Sequence, residues 1–267
     1  MLIAQITDPH VMPEGSRMQE VVDPLPFVAR AVAHLNALEP RVDAVLVTGD
    51  LADAGHPDSY RRLKRKLDSL RMPYYIIPGN HDDRAALRAA FADHTYLPRA
   101  GSFLHYVVDD YPVRLIGLDT LRPESHAGDG ELCADRLQWF ADQIGRSQKP
   151  TLIFMHHPPV RTHIQNMDAM GLHGAEAFGA VVQRHAGVIE RVACGHIHRT
   201  IVTRWRGTTV AVAPGVAFQL TLELRRSTHS SFVMEPPGYL LHHWTPEREL
   251  VTHAGVIGPF DGPYLYD

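Results

Sequence analysis

The chain has 267 residues, of which 45% are hydrophobic, and this size predicts one large core with at most a modest appendage. Its formal net charge of −4, from 26 Lys and Arg against 30 Asp and Glu residues, disfavours a protein that binds nucleic acid polymers or an anionic membrane. Its two cysteines, Cys133 and Cys194, are too few for a disulfide framework and are expected to be reduced.

Neither a signal-peptide pattern nor an apolar run of about 18 residues occurs, so we predict a cytoplasmic protein with no membrane partner. One count departs from an ordinary composition, because 18 of the residues are histidine. This abundance indicates that a metal or acid–base site should be sought.

Short apolar runs alternate with helical patterns from the start of the chain. Five runs each stop at a polar residue: 2–7 before Asp8, 44–49 before Asp50, 74–79 before Asn80, 151–155 before His156 and 191–195 before His196. Such runs predict buried strands. Helical spacing recurs over residues 25–38, 58–71, 84–92, 134–147 and 174–186. The alternation predicts an α/β fold whose polar residues gather where loops leave the carboxyl ends of the strands.

The pattern changes after about residue 200. Residues 208–214 are apolar, residues 220–226 alternate with period two, and the segments 234–244 and 256–267 are rich in Pro and Gly. These features are typical of β-hairpins and loops. We therefore predict a catalytic core over residues 1–200, followed over 201–267 by the last core strands, a β-hairpin cap and a C-terminal tail.

Five fragments carry the candidate chemistry: Asp8-Pro9-His10, Gly49-Asp50-Leu51-Ala52-Asp53, Gly79-Asn80-His81-Asp82, His156-His157 and Gly195-His196-Ile197-His198. Each alone is weak, since a Gly-Asp pair usually marks a turn. Together, each after a predicted strand, they favour a metal centre. Imidazole and carboxylate ligands suit divalent Mn, Fe, Zn or Co, and a carboxylate such as Asp50 can bridge two ions about 3.5–4 Å apart. The one-residue spacing lets both members of the first and last fragments face one region.

This motif set, which spans residues 8–198, resembles that of the calcineurin-like metallophosphoesterases. The segments MLIAQITDPH, PGNHDD, FMHHPP and PYLYD are similar to those of bacterial glycerophosphodiesterases and class III cyclic-nucleotide phosphodiesterases, over nearly the whole chain. The resemblance implies a four-layer αββα sandwich, in which two mainly mixed β-sheets are flanked by helices. It also implies a small C-terminal β cap that helps protomers associate into a homo-oligomer, a dimer or larger.

The resemblance further implies a ligand set and a mechanism. One ion would be held by Asp8, His10, Asp50 and His198, and the other by Asp50, Asn80, His156 and His196. A hydroxide held by the two ions would attack phosphorus. His81 would contact the phosphate with Asn80 and protonate the leaving group. Phe218 replaces a histidine of the related glycerophosphodiesterase, which puts a glycerol-like group in doubt and favours a stacking group such as a nucleobase.

Several weaker signals leave alternatives open. Asp53 is equally compatible with a hydrogen bond to a ligand histidine and with capping of a turn. His157 is expected to be packed or hydrogen-bonded rather than a ligand. Other histidines are interpreted as exposed polar residues: His242, His243, His163, His173 and His229. The basic cluster at residues 61–66 is interpreted as the solvated face of an amphipathic helix.

The sequence therefore predicts a metal-dependent hydrolase of small phosphodiesters, cyclic nucleotides or glycerophosphodiesters or both. A phosphomonoesterase or a nuclease of the same superfamily is the alternative within the class, and a nuclease would call for a basic groove. A non-catalytic interaction module is the alternative outside it. Such modules lose metal ligands or the histidine beside the asparagine, whereas every expected position is filled here.

Overall fold

The computed structural model describes residues 1–125, 127–225 and 230–266, so His229 lies outside the described residues. The strands are β1 (Leu2–Ile6), β2 (Ala44–Thr48), β3 (Tyr74–Ile77), β4 (Tyr106–Val108), β5 (Arg114–Leu118), β6 (Gly130–Glu131), β7 (Thr151–Met155), β8 (Leu172–His173), β9 (Ile189–Cys194), β10 (Ile201–Trp205), β11 (Thr208–Val212), β12 (Gln219–Leu220), β13 (Phe232–Val233), β14 (Gly238–Trp244) and β15 (Leu250–Val256). The helices are α1 (Leu25–Ala37), α2 (Pro57–Leu67), α3 (Arg84–Ala90), α4 (Ala134–Gly145), α5 (Gln165–Ala169) and α6 (Ala175–Arg184).

Two mixed sheets organise the molecule. A five-stranded sheet has the order β15-β14-β1-β2-β3, and a six-stranded sheet has the order β10-β11-β9-β7-β5-β4. The strands β1, β2 and β3 are parallel, as are β5, β7, β9 and β11, while the outer strands β14, β15, β4 and β10 run antiparallel to their neighbours. The carboxyl ends of the central strands of each sheet therefore lie along one edge.

The sheets pack face to face and helices cover their outer faces. The shared core takes side chains from both sheets, and hydrogen bonds join the sheets across it. For example, Gln5 Nε2 donates to the Cys194 carbonyl at 2.8 Å, and the Tyr106 hydroxyl donates to the Ile76 carbonyl at 2.6 Å. The helices α1, α2 and α3 contribute to the core of the five-stranded sheet, and α4 and α6 to that of the six-stranded sheet. The predicted αββα class is confirmed.

The elements expected from apolar runs and helical spacing are present, with small shifts at their ends. The helix expected over 58–71 ends at Leu67, and the chain then turns through Asp68, whose N–H bonds to the Lys64 carbonyl at 2.8 Å. The Ser69 N–H then bonds to the Lys66 carbonyl at 3.1 Å, and the Leu70 N–H to the Leu67 carbonyl at 2.9 Å, so tight turns replace the helix after Leu67. Burial of Leu63 and Leu67 on one side confirms that the basic cluster lies on an amphipathic helix.

The region after residue 200 departs most from expectation. The alternating segment 220–226 does not form a long strand: β12 ends at Leu220, and residues 221–225 carry no strand. The stretch interpreted as loop and hairpin contains β14, a seven-residue strand that pairs with β1 inside the five-stranded sheet. The division into a core and a cap stays a prediction, with the short β12–β13 pair as the part outside both large sheets. No helix within the described part of the chain is long and apolar enough to cross a lipid bilayer.

Candidate metal centre

The structure brings all the predicted ligands to one place, where the carboxyl edges of the two sheets meet. They follow five different strands: Asp8 and His10 after β1, Asp50 after β2, Asn80 after β3, His156 after β7, and His196 and His198 after β9. Three overlapping groups of possible ligand atoms connect all of them except Asn80, namely Asp8, His10 and His198; Asp8, Asp50 and His156; and His156, His157 and His196. The clustering follows from the topology, because parallel strands end on the same side.

One half of the cluster is formed by Asp8, His10 and His198. The Nε2 atoms of His10 and His198 lie 3.2 Å apart, and His198 Nε2 lies 3.3 Å from Asp8 Oδ1. The Asp8 side chain is fully buried, and the two imidazoles are nearly so. Lone pairs that converge at such distances away from water form a site that a cation stabilises.

The other half is formed by His156, Asn80 and His196. His156 Nε2 lies 3.1 Å from Asn80 Oδ1, and the rings of His156 and His196 have centroids 5.1 Å apart. Asp50 joins the halves, because its Oδ2 atom lies 3.4 Å from His156 Nε2 and also 3.4 Å from His10 Nε2. One carboxylate oxygen is thus equidistant from the two halves.

Each of the four predicted ligand histidines has one ring nitrogen committed to an outer acceptor. The pairs are His10 Nδ1 with Asp53 Oδ1 at 3.3 Å, His156 Nδ1 with the Thr48 carbonyl at 2.8 Å, His198 Nδ1 with the Phe218 carbonyl at 3.3 Å, and His196 Nε2 with the Met170 carbonyl at 3.1 Å. Donation of that N–H leaves the other nitrogen with its lone pair for the cluster. Outer acceptors of this kind fix the tautomer and orientation of metal-binding histidines. The donor set therefore fits a dinuclear centre for divalent ions.

The backbone at these positions is strained. The φ angles are 55° at Asp8, 41° at His10, 49° at Asp50, 71° at His196 and 49° at His198, all in the left-handed region that residues with a Cβ seldom adopt. Such conformations cost about 1–3 kcal/mol each and persist where surrounding bonds enforce them. Here the His10 N–H donates to the Asp50 carbonyl at 2.9 Å, which holds the loops after β1 and β2 together.

Two glycines permit the close approach of these loops. Gly49 has a φ of +92°, and a Cβ there would collide with the His156 ring. A Cβ at Gly79 would collide with the Asp50 carboxylate. Glycine is therefore required at both positions, since a side chain at either one would displace a residue of the cluster.

Electrostatics at the site favour ionised carboxylates. Burial would raise the pKa of Asp8, but the neighbouring His198 and His156 outweigh burial and lower the pKa to about 2. Burial disfavours the charge on His156, yet Asp50 and Asp8 raise its pKa to about 9. For His196, burial and the nearby His156 together lower the pKa to about 3. The two buried carboxylates thus provide the negative charge that a pair of cations needs.

His81 lies at the rim of the cluster rather than among the inward-facing ligands. Its Nδ1 lies 2.9 Å from Asp53 Oδ1, and 42% of its side chain is exposed. Its backbone N–H donates to Asp50 Oδ1 at 2.9 Å. Burial opposes charge on the ring, but Asp50 and Asp53 raise its pKa to about 9. Of the two roles left open for Asp53, the structure shows the bond to a predicted ligand histidine, since the same oxygen faces His10.

The burial of the remaining histidines confirms some predictions and corrects one. His157 is buried with Nδ1 at 2.8 Å from Thr120 Oγ1 and Nε2 at 3.1 Å from the Gly128 carbonyl, so it is a packed, hydrogen-bonded residue as predicted. The prediction that His242 is exposed is wrong. It is fully buried in β14, where its Nε2–H donates to Gln5 Oε1 at 3.2 Å. His163 and His173 are exposed, and His243 is half-buried.

A cavity of about 640 Å³ opens beside the cluster. One side consists of predicted ligands and His81, and the other carries apolar side chains that include Met18, Phe218 and Phe232. Phe218 is only 7% exposed, and its ring centroid lies 4.6 Å from that of His198 and 5.3 Å from that of Phe232. Among the described lining residues there is no lysine or arginine.

Several residues that shape the site carry no recognisable signal in the sequence. The Thr48, Phe218 and Met170 carbonyls orient predicted ligands through the main chain, which leaves no signal in the side chains. Asp82 lies within a predicted fragment but received no role, although its carboxylate bonds to the loops that carry Asp50 and Asn80.

The fold consists of two stacked mixed sheets, and their strand ends present two groups of predicted ligands that share one carboxylate. This arrangement is typical of dinuclear metal-dependent hydrolases. A family model described as calcineurin-like phosphoesterase matches residues 1–200. The chain belongs to this family, as its motif set predicted.

Proteins similar to this chain include phosphodiesterases and a phosphatase. The chain is 36% identical over 269 residues to a probable glycerophosphodiester phosphodiesterase from Arcobacter nitrofigilis, covering 100% of this chain and 97% of the relative. It is 32% identical over 266 residues to a probable cyclic nucleotide phosphodiesterase from Rhodopseudomonas palustris, covering 98% and 94%. Among solved structures, a dimetal phosphatase from Danio rerio has a TM-score of 0.64 at 15% identity, covering 97% of this chain and 99% of that chain, and shows that the fold is shared.

Proposed function

We propose that the protein hydrolyses small phosphodiesters with a pair of divalent metal ions. The observation that carries the proposal is the buried cluster in which four histidines, each oriented by an outer acceptor, converge with Asp8 and Asp50. Relatives that align with nearly the whole chain, named as glycerophosphodiester and cyclic nucleotide phosphodiesterases, support the same activity.

In this proposal the ligands divide as the family resemblance implies. One ion would be held by Asp8, His10, Asp50 and His198, and the other by Asp50, Asn80, His156 and His196. The equal distance of 3.4 Å from Asp50 Oδ2 to His10 Nε2 and to His156 Nε2 supports Asp50 as the bridge. Imidazole, carboxylate and amide oxygen donors suit Mn, Fe, Zn or Co, and the choice among these depends on supply as well as on affinity.

Two bound divalent ions would supply an ionised water and neutralise charge on the phosphoryl oxygens. The chain's own residues do the rest. The Asn80 amide and the His81 ring bind the phosphate. His81 directs its Nδ1 to Asp53, so Nε2 is free to face the cavity and pass a proton to the leaving oxygen. Asp53 orients this ring and that of His10 from a single oxygen.

The cavity supports diesters over monoesters. A phosphate monoester carries about −1.5 to −2 charge at neutral pH, because its second pKa is about 6. The described lining residues include no lysine or arginine to match that second charge, and among them His81, at the rim, has its pKa raised to about 9 by Asp50 and Asp53 against the effect of burial. A diester, with one negative charge, fits this arrangement better.

The apolar side of the cavity supports a substrate that carries a flat group. Phe218 and Phe232 pack edge to face, and Met18 lies beside them in one apolar cluster. Aromatic and thioether groups stack on a nucleobase but offer no hydrogen bonds to a glycerol hydroxyl. Cyclic nucleotides therefore rank before glycerophosphodiesters in this proposal.

A homo-oligomer in the cytoplasm forms part of the same proposal. The C-terminal tail exposes 66% of Phe260, 79% of Tyr264 and 94% of Leu265. Contiguous exposed apolar side chains are typical of association surfaces, and a second copy would bury them. Light scattering on the intact chain and on a variant that lacks residues 258–267 tests this part. We expect the truncated protein to have fewer chains per particle than the intact protein.

A substrate panel tests the activity. The manganese-reconstituted protein is assayed on bis(p-nitrophenyl) phosphate, p-nitrophenyl phosphate, cyclic AMP and glycerophosphoethanolamine, with Asn80→Ala as the inactive control. We expect a diester to react fastest and the variant to be nearly inactive. Turnover of the monoester alone would refute the substrate class, and no turnover with both ions bound would refute the activity and favour an interaction module.

A further inference from the structure

The buried Asp82 carboxylate joins three separate parts of the fold. Its Oδ2 accepts the Gly79 N–H at 2.8 Å and the Leu51 N–H at 3.1 Å, and its Oδ1 accepts the Ala52 N–H at 3.1 Å. The Tyr60 hydroxyl completes the set by donating to Oδ1 at 2.9 Å. Asp82 is 7% exposed, so these four donors replace nearly all of its contact with water.

These bonds reach the peptide units next to two proposed ligands. Leu51 follows Asp50, the proposed bridge, and Gly79 precedes Asn80. One carboxylate oxygen accepts from both N–H groups, so it fixes the spacing of the loop after β2 relative to the loop after β3. The two loops have a second direct tie, from the His81 N–H to Asp50 Oδ1 at 2.9 Å.

A local turn-capping role does not explain this pattern. Capping of the turn at residues 79–82 needs only the bond from the Gly79 N–H. The other three donors come from Leu51, Ala52 and Tyr60, at least 22 residues away along the chain. Their convergence on one carboxylate indicates that Asp82 positions distant segments.

Tyr60 connects the hydrogen bonds of Asp82 to a helix. It is fully buried on α2, and its hydroxyl also accepts the Asp83 N–H at 2.8 Å. The hydroxyl therefore holds both the side chain of Asp82 and the backbone that follows it. Because α2 packs in the core of the five-stranded sheet, these bonds fix the position of the loop after β3 relative to that helix.

We propose that Asp82, supported by Tyr60, is a positioning residue that sets the distance between Asp50 and Asn80 and so gives the centre its affinity for a pair of metal ions. It contacts neither the ions nor the substrate and acts through the peptide units of Leu51 and Gly79. The inference rests on the proposed dinuclear function. Its effect should appear in metal binding before any substrate is present.

The test compares Asp82→Asn with Asp83→Asn, the same isosteric change one residue later. Asp83 caps α3 by accepting the Ala86 N–H at 2.7 Å, a role that asparagine also fills. In Asp82→Asn, the amide NH₂ faces N–H donors and cannot accept from them. Affinity for Mn²⁺ alone is measured by calorimetric titration of the metal-free proteins, followed by kcat and KM on a diester.

We expect Asp82→Asn to lower the affinity for Mn²⁺ and kcat by about 10–100-fold, as outer partners of metal ligands do, with KM changed by less than about threefold. Asp83→Asn should match the wild type. Tyr60→Phe, which removes one of the four donors, should shift both quantities in the same direction by a smaller factor, and it serves as the second variant if Asp82→Asn does not fold.

Two results overturn the inference. One is Mn²⁺ affinity within about twofold of wild type in Asp82→Asn and Tyr60→Phe, even if the melting temperature falls, because Asp82 would then be structural only. The other is an equal loss of affinity in Asp83→Asn. Failure of the wild-type protein itself to bind two ions would instead refute the dinuclear function, so the two failures are distinguishable.

Discussion

His81→Ala separates proton transfer from metal binding. The ring lies at the rim with its Nδ1 bonded to Asp53, and 42% of the side chain faces solvent, so its removal leaves the buried cluster in place. Loss of a general acid typically costs about 10²–10⁴ in rate, which is about 3–5 kcal/mol of activation free energy at 1.36 kcal/mol per tenfold. We expect this loss in kcat for cyclic AMP, whose departing alkoxide needs a proton.

The assay compares two leaving groups. p-Nitrophenolate leaves as a stable anion, so hydrolysis of bis(p-nitrophenyl) phosphate by His81→Ala should fall by less than about tenfold. Metal content is measured on the same samples, with the exposed His253→Ala as the control. An equal loss for both substrates would refute proton donation, and loss of bound metal would make His81 a ligand or a structural residue.

Three further perturbations test the surroundings of the site. Asp53→Ala should lower kcat or metal affinity by about 10–100-fold, because it removes the acceptor that orients His81 and a ligand histidine, and titration with Mn²⁺ separates the two effects. Gly79→Ala should lower the number of ions bound per chain, counted by elemental analysis, because the new methyl group collides with the carboxylate of Asp50, the proposed bridge between the two ions. His242→Gln should flatten the acid side of the stability profile, since burial and Arg191 lower the pKa of His242 to about 3. Urea unfolding from pH 7 to pH 4 measures that profile.

The sign of the His242 effect follows from its two pKa values. The unfolded pKa is about 6.5 and the folded pKa is lower, so the unfolded state binds the proton first as pH falls. Stability is fully present above about pH 6.5 and is lost toward the folded pKa, with a slope of up to about 1.4 kcal/mol per pH unit. The difference between wild type and variant isolates this one group, and the exposed His253→Gln should leave the slope unchanged. Parallel profiles for wild type and His242→Gln would contradict the assignment.

Much of the fold could be predicted because its central strands are short, apolar and bounded by turn residues. The runs that end before Asp8, Asp50 and His156 became β1, β2 and β7 within a residue or two. The pairing of strands that are distant in the sequence could not be predicted in the same way. The segment 238–244 carries two histidines and follows two prolines, yet it lies beside β1, because Gln5 supplies the polar partner that lets His242 be buried.

The candidate ligand side chains could be predicted from the sequence, but the residues and backbone conformations that hold them in place could not. The ligand candidates are chemically distinctive and follow strands, so their types and order were sufficient to group them. Asp82 was indistinguishable from a turn aspartate, because its partners are main-chain N–H groups and a tyrosine 22 residues away. The left-handed backbone at Asp8 and His196 also left no sequence signal, since it is imposed by tertiary bonds.

Anomalous diffraction from crystals of the manganese-reconstituted protein tests the dinuclear centre most directly. We expect two peaks about 3.5–4 Å apart, with an Asp50 oxygen between them, His10 and His198 on one ion, and Asn80 and His156 on the other. A single peak, or two peaks that do not share Asp50, would contradict it.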